Sequence, residues 1–242
     1  MLYLHFRLER MKYNEFEDII SLQRLQRYLL SCHSDTRKAM TLYRYNIKLS
    51  QELLGVVGCF EVTLRNKINN LFISQFGSDW LRDFILPGGI FYSDPRVAKT
   101  KKIITKVYEG LLRDNKYSHD KLLSEMEFGV WKYMFSNVQY ALTGQTLLSI
   151  FPNKPISSAV QNYDNTYIFR ELDYINNLRN RIAHHEPICF GNGANRNIIN
   201  TYYALNRYSR ILTLFQWLNI NGLSLLYGLG DIVNVTNRIN QL

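Results

Sequence analysis

A chain of 242 residues with 46% hydrophobic and 14% aromatic content can bury a substantial core and is too apolar for a disordered tail. Its 29 Lys and Arg against 20 Asp and Glu leave a formal net charge of +9, which favours a polyanionic partner, nucleic acid before an anionic membrane. The cysteines Cys32, Cys59 and Cys189 are odd in number and form no C-x-x-C pair, which argues against a disulfide scaffold or a cysteine-rich zinc site and suits a reducing cytoplasm.

Taken in chain order, the pattern is helical almost throughout. Met1–Glu15 alternates charged and apolar residues without an apolar run, so no secretory signal is expected. Leu53, Val57, Phe60, Leu64, Ile68 and Leu71 recur at steps of three and four, which predicts one face of a long helix beginning near Asp35. Ser78 is placed to cap a helix at Trp80-Leu81, and Asp94-Pro95 to open a basic helix through Arg113. Phe128–Leu148, Thr166–His184, Asn195–Leu218 and a weaker stretch from Leu223 to Asn240 read as further helices. Breakers cluster at Leu86–Gly89 and Phe151–Pro155, and Asn192-Gly193 and Asn221-Gly222 mark loops between helices. The apolar run Ile211–Val233 is interrupted by Gln216, Asn219, Asn221 and Asp231, too polar for a bilayer span, so a soluble chain with no membrane partner is expected. The expected fold class is all-α. Residues 1–242 form a single domain in this reading, with 1–34 as an N-terminal helical extension and 35–242 as the core.

The segment from Asn177 to Pro187 carries Arg179-Asn180-Arg181-Ile182-Ala183-His184-His185 on what should be the last turns of a helix. Arginine holds negative charge, an amide positions, and histidine moves protons near neutral pH, a set suited to work on a phosphodiester. On a wheel of 100° per residue, Leu172, Ile175, Leu178 and Ile182 gather on a core face. Asp173, Asn177, Asn180 and His184 fall within about 60° of one another on the opposite side, with Arg179 between the faces. The same stripe can also be read as a solvated helix face whose terminal histidine is favoured by the helix dipole. His5, His33 and His119 are isolated singletons. The adjacent His184 and His185 point about 100° apart, which disfavours a metal site. No metal and no cofactor is therefore called for, and no phosphate-binding glycine motif is present. Lys99, Lys101, Lys102 and Lys106, with Tyr92, Tyr108 and Tyr117 near in sequence, form either a solvated face or a track for RNA phosphates.

The R-x4-H spacing from Arg179 to His184 resembles the signature of the HEPN superfamily. Two blocks resemble its Abi-like branch (abortive infection, AbiD/AbiF): Leu42–Ser50 running on to Phe60-Glu61-Val62-Thr63-Leu64-Arg65-Asn66, and Leu178–Pro187. The resemblance implies a HEPN-like helical bundle with additional N-terminal helices. It further implies a metal-independent endoribonuclease in prokaryotic phage defence, or a toxin. Arg179, Asn180 and His184 would be its catalytic set, with His185 also at a permitted spacing. The wheel puts His185 nearer the apolar side, which favours a structural role. Such nucleases pair two motifs across an interface, so a homodimer is implied, open to a neutralising antitoxin protein or small RNA. Arg65-Asn66 repeats the dipeptide, but Asn70 stands where a histidine would be needed, so Glu61, Arg65 and Asn66 are read as structural first and as accessory to the RNA path second. The alternatives are a non-catalytic RNA-binding module of the same fold and a helical protein-interaction partner.

Overall fold

The computed structural model describes residues 11–191 and 196–242. Among the described residues the fold is all-α, as the sequence predicts: twelve α-helices, two short 3-10 turns and an isolated bridge between Phe190 and Ile199. His5, the Asn192-Gly193 turn and the expected helix start at Asn195 lie outside the described residues.

Tyr13–Ile20 (α1) and Leu22–Ser31 (α2) confirm helix in the N-terminal stretch. The long helix Thr36–Phe76 (α3) starts where the sequence indicates, because Asp35 Oδ1 accepts from the backbone N–H groups of Arg37 and Lys38, both at 3.0 Å. It stops at Gly77, which takes φ +93° and donates its N–H to the Ile73 carbonyl. The buried face runs Leu53, Val57, Phe60, Leu64 and Ile68 and then passes to Phe72, leaving Leu71 only partly covered.

Trp80–Asp83 (α4) has Asp79, not Ser78, at its N-cap, without a side-chain cap. The following breaker is sterically required, since a Cβ at Gly89 would overlap the Asp83 carbonyl. Asp94 does cap as expected, accepting from the Arg96 N–H at 2.9 Å ahead of the turn Pro95–Val97 and helix Ala98–Arg113 (α5). After His119–Ser124 (α6), the single helix expected over Phe128–Leu148 is broken into Phe128–Tyr133 (α7) and Asn137–Leu142 (α8). Ser136 starts a fresh helix by accepting from the Gln139 N–H, and positive φ at Gly144 and Gln145 ends it. The remaining helices are Asn165–Ala183 (α9), Tyr202–Trp217 (α10), Gly222–Leu225 (α11) and Ile232–Asn240 (α12). The weak C-terminal helix is thus two pieces, parted at Gly228 and Gly230, which take φ +76° and +99°. Asn221 is the cap of α11, accepting from the Ser224 N–H at 3.0 Å.

The chain divides into two compact units. The first holds the described residues up to Leu53, with those of Arg181–Asn206 and Gly230–Leu242. Phe16, Leu25 and Met40 form a core cluster there with Tyr43, and Tyr28 meets Tyr43 and Phe190 edge-on at 5.2 and 5.1 Å. The second unit, Leu54–Asn180 and Arg207–Leu229, is centred on aromatic rings. Phe60 meets Phe215 edge-on at 5.3 Å, and Phe72, Trp80, Phe84 and Phe91 continue that core. Glu171, a deeply buried carboxylate of this unit, is ion-paired with Arg210.

Candidate functional site

The α9 sequence folds as its apolar period dictates: Leu172, Ile175, Leu178 and Ile182 are all buried. Asp173, Arg179 and Asn180 are half-buried and Asn177 is exposed, so the polar stripe is real up to Asn180. Its upper members are already engaged. The Lys132 ammonium donates to Asp173 Oδ1 at 2.8 Å, and Asn177 Nδ2 donates to Asp173 Oδ2 at 3.1 Å. Only 8% of the Lys132 side chain is exposed, and its ammonium also lies over the Tyr133 and Phe169 rings. Asp173 therefore serves as the counter-ion of a buried lysine, a structural duty that the wheel could not show.

His184 does not continue the stripe. The helix ends at Ala183 in a Schellman turn: the His185 N–H reaches the Ile182 carbonyl at 3.0 Å, and the Glu186 N–H reaches the Arg181 carbonyl at 2.8 Å. His184 is the flanking residue, and His185 takes the left-handed position at φ +55° that glycine usually fills. An Arg181–Glu186 ion pair at 3.2 Å stands where such turns often carry an apolar contact. Arg24 Nη1 adds a bond to the His185 carbonyl at 3.2 Å. Both imidazoles are exposed, so His185 is not on the apolar side as the wheel suggested; its structural contribution is through its backbone. Three residues after His185, the Ile188 N–H donates to the buried Asn46 Oδ1 at 2.8 Å, which gives the Leu42–Ser50 block a role in fastening the chain after the histidines. Sequence reasoning missed Asn46, although an amide interrupting an apolar face was there to be noticed.

Within the second unit, Arg179 and Asn180 line a cleft of about 560 Å³. Arg96, Lys99 and Lys132 share its wall, against a single carboxylate, Glu127. Two of these cations are committed, Arg96 to Asp94 at 2.7 Å and Lys132 to Asp173. Lys99 and Arg179 make no side-chain hydrogen bond or close ion pair among the described residues, so both are available to an anion. Burial holds the Glu61 carboxyl above the ordinary carboxylate range; the charges of Arg179 and Arg65 pull it back and that of Glu127 pushes it further up. Glu61 is thus an electrostatic neighbour of Arg179. Arg65 and Asn66 open on a separate hollow with Asn69 and Lys121.

The lysine run splits. Lys99, Lys102 and Lys106 are exposed on one face of α5, at steps of three and four. Lys101 is tied back, donating to the Tyr92 carbonyl at 2.6 Å and lying over the Tyr92 ring. The Tyr117 hydroxyl is held by Asp79 at 2.6 Å. His119 is structural, its Nε2 sharing Asn69 Oδ1 with the Trp80 indole. Among the described residues no group of three or more His, Cys, Asp or Glu stands together as a metal site, and no helix is long and apolar enough to cross a membrane.

Residues 5–189 match the model of the Abi-like protein family, about three-quarters of the chain. The chain belongs to that family. The Abi-like match takes in Arg179, Asn180, His184 and His185, together with the Asn46 block, and stops before α10. Membership connects the chain with abortive infection, the function class that the family description carries. No curated protein and no solved structure matches it.

Proposed function

We propose that this Abi-like protein is a metal-independent endoribonuclease of the HEPN type, acting in abortive-infection defence or as a toxin. One observation carries the reading: an arginine and an adjacent amide open on a cationic cleft, an exposed histidine follows five residues after that arginine in the chain, and neither the arginine nor the histidine side chain is hydrogen-bonded among the described residues. Surface solubility needs none of these. The spacing is that of the family motif.

In this reading the RNA 2′-hydroxyl attacks the adjacent phosphorus and gives its proton to a histidine. The new O2′–P bond forms as the P–O5′ bond breaks, and the departing O5′ takes up a proton. The products are a 2′,3′-cyclic phosphate and a 5′-hydroxyl. Arg179 stabilises charge on the non-bridging oxygens through its planar fork, and Asn180 orients the phosphate or the imidazole. One chain supplies one motif, too few groups for both proton transfers, so the working form is a homodimer with two motifs facing one another. Lys99, Lys102 and Lys106 supply phosphate contacts beside the cleft.

The test is RNA cleavage with end-group analysis. His184→Ala should lower the rate by about 10²–10⁴-fold while preserving the fold, because the side chain is exposed. Arg179→Lys keeps the charge, loses the fork, and should be severely impaired. Normal cleavage by both variants would sink the nuclease reading. RNA binding without cleavage would select the binding-module alternative.

A further inference from the structure

The cleft that holds Arg179 is built for more than a phosphate. Its volume of about 560 Å³ lies in the range of small-molecule sites, and its wall between the cations is apolar and aromatic. Phe128 and Val130 are buried in that wall, whereas Tyr133 and Ile103 line the cleft with 38% of each residue exposed. An exposed tyrosine ring in a cationic cleft is a stacking platform of the kind that single-stranded nucleic acid uses. Gln139 also lines the cleft but is 97% buried, its Nε2 donating to Thr100 Oγ1 at 2.6 Å.

We propose that this cleft takes one whole nucleotide, its base on Tyr133 and its phosphate on Arg179 and Lys99. The inference deepens the nuclease reading and rests on it for the source of the nucleotide, a residue of single-stranded RNA. A base held in this way fixes which phosphate lies against Arg179. Tyr133 is then a positioning and base-stacking residue, not a catalytic one.

The experiment measures binding of short RNA oligonucleotides, of the same oligonucleotides with one abasic position, and of free nucleoside monophosphates to the full chain carrying His184→Ala. Tyr133→Ala should weaken base-containing RNA by about five- to hundredfold. Tyr133→Trp should restore the affinity, and the dependence on salt should stay the same because no phosphate contact is removed. An abasic position should cost the parent protein much of its affinity and Tyr133→Ala little more. Ile103→Glu, which sets a carboxylate in the same cleft, should weaken binding while leaving the edge-on contact of Tyr133 with Phe169, at 5.6 Å, in place. Unchanged affinity in both Tyr133→Ala and Ile103→Glu, with cleavage by the wild type intact, overturns the nucleotide site and leaves the nuclease reading standing. Tyr133-dependent binding of a monophosphate, with no cleavage of RNA, keeps the site and removes the nuclease. Loss of both removes both.

Discussion

Asp173 illustrates how a residue on the candidate catalytic stripe can be assigned by stability instead of rate. Its carboxylate neutralises Lys132, whose side chain is 8% exposed, whereas that of Asp173 is 39% exposed. Removing one partner of a fully buried ion pair costs roughly 3–5 kcal/mol, because the other charge stays behind without compensation. An exposed pair is worth about 0–1 kcal/mol. With one partner buried and the other half-exposed, Asp173→Ala should cost about 2 kcal/mol, between these limits. In a chain of this length that lowers Tm by about 4–6 °C. Lys132→Met should cost less, because Asp173 can regain water, and the double variant should be no worse than Lys132→Met alone. The measurement is thermal and urea unfolding of the four proteins, with cleavage assayed well below the transition. If Asp173→Ala melts like the wild type but fails to cut RNA, the counter-ion argument is wrong and Asp173 belongs to the chemistry.

Four further expectations are open to direct measurement. RNA cleavage should persist in excess EDTA; a strict need for added divalent metal would contradict the proposed mechanism. His185→Gly suits the left-handed Schellman position, so it should hold or raise Tm and keep cleavage, whereas a folded but inactive His185→Gly would make His185 the catalytic histidine. Replacing Lys99, Lys102 and Lys106 with Gln should reduce the slope of log K against log salt by about 2, at about 0.7 per phosphate contact on a single strand; an unchanged slope would place the RNA elsewhere. Because burial raises the Glu61 carboxyl, the folded state binds that proton more tightly than the unfolded state. Its stabilising contribution is full below the ordinary glutamate range and is lost as pH rises through the folded value, so Glu61→Gln should flatten the stability profile across that window. The same change removes a negative neighbour of Arg179 and should tighten RNA binding at pH 7 by about fivefold, one unit charge being worth about 1 kcal/mol near water.

How much of this was legible in the sequence follows from the range of each interaction. Asp35 and Asp94 announced helix starts because a cap needs only the next three residues. The apolar face of α9 showed itself for the same reason, since a helix repeats its contacts every three or four positions. Ser136 carried a local signal too, but an apolar period running across it suggested one helix where the chain makes two. His185 was misplaced because a wheel presumes that the helix continues, and the Schellman turn lifts His185 off it. The Arg179–His184 spacing and family membership are properties of the chain itself. What the neighbours of that motif do is not. Lys132 reaches Asp173 across 41 positions, and Asn46 reaches Ile188 across 142. The cleft that joins Arg179 to Lys99, Tyr133 and Gln139 exists only once α5, α7, α8 and α9 are packed together. A one-dimensional pattern fixes which residue types stand on each helix face; burial and charge compensation between helices decide which of them remain free for a ligand.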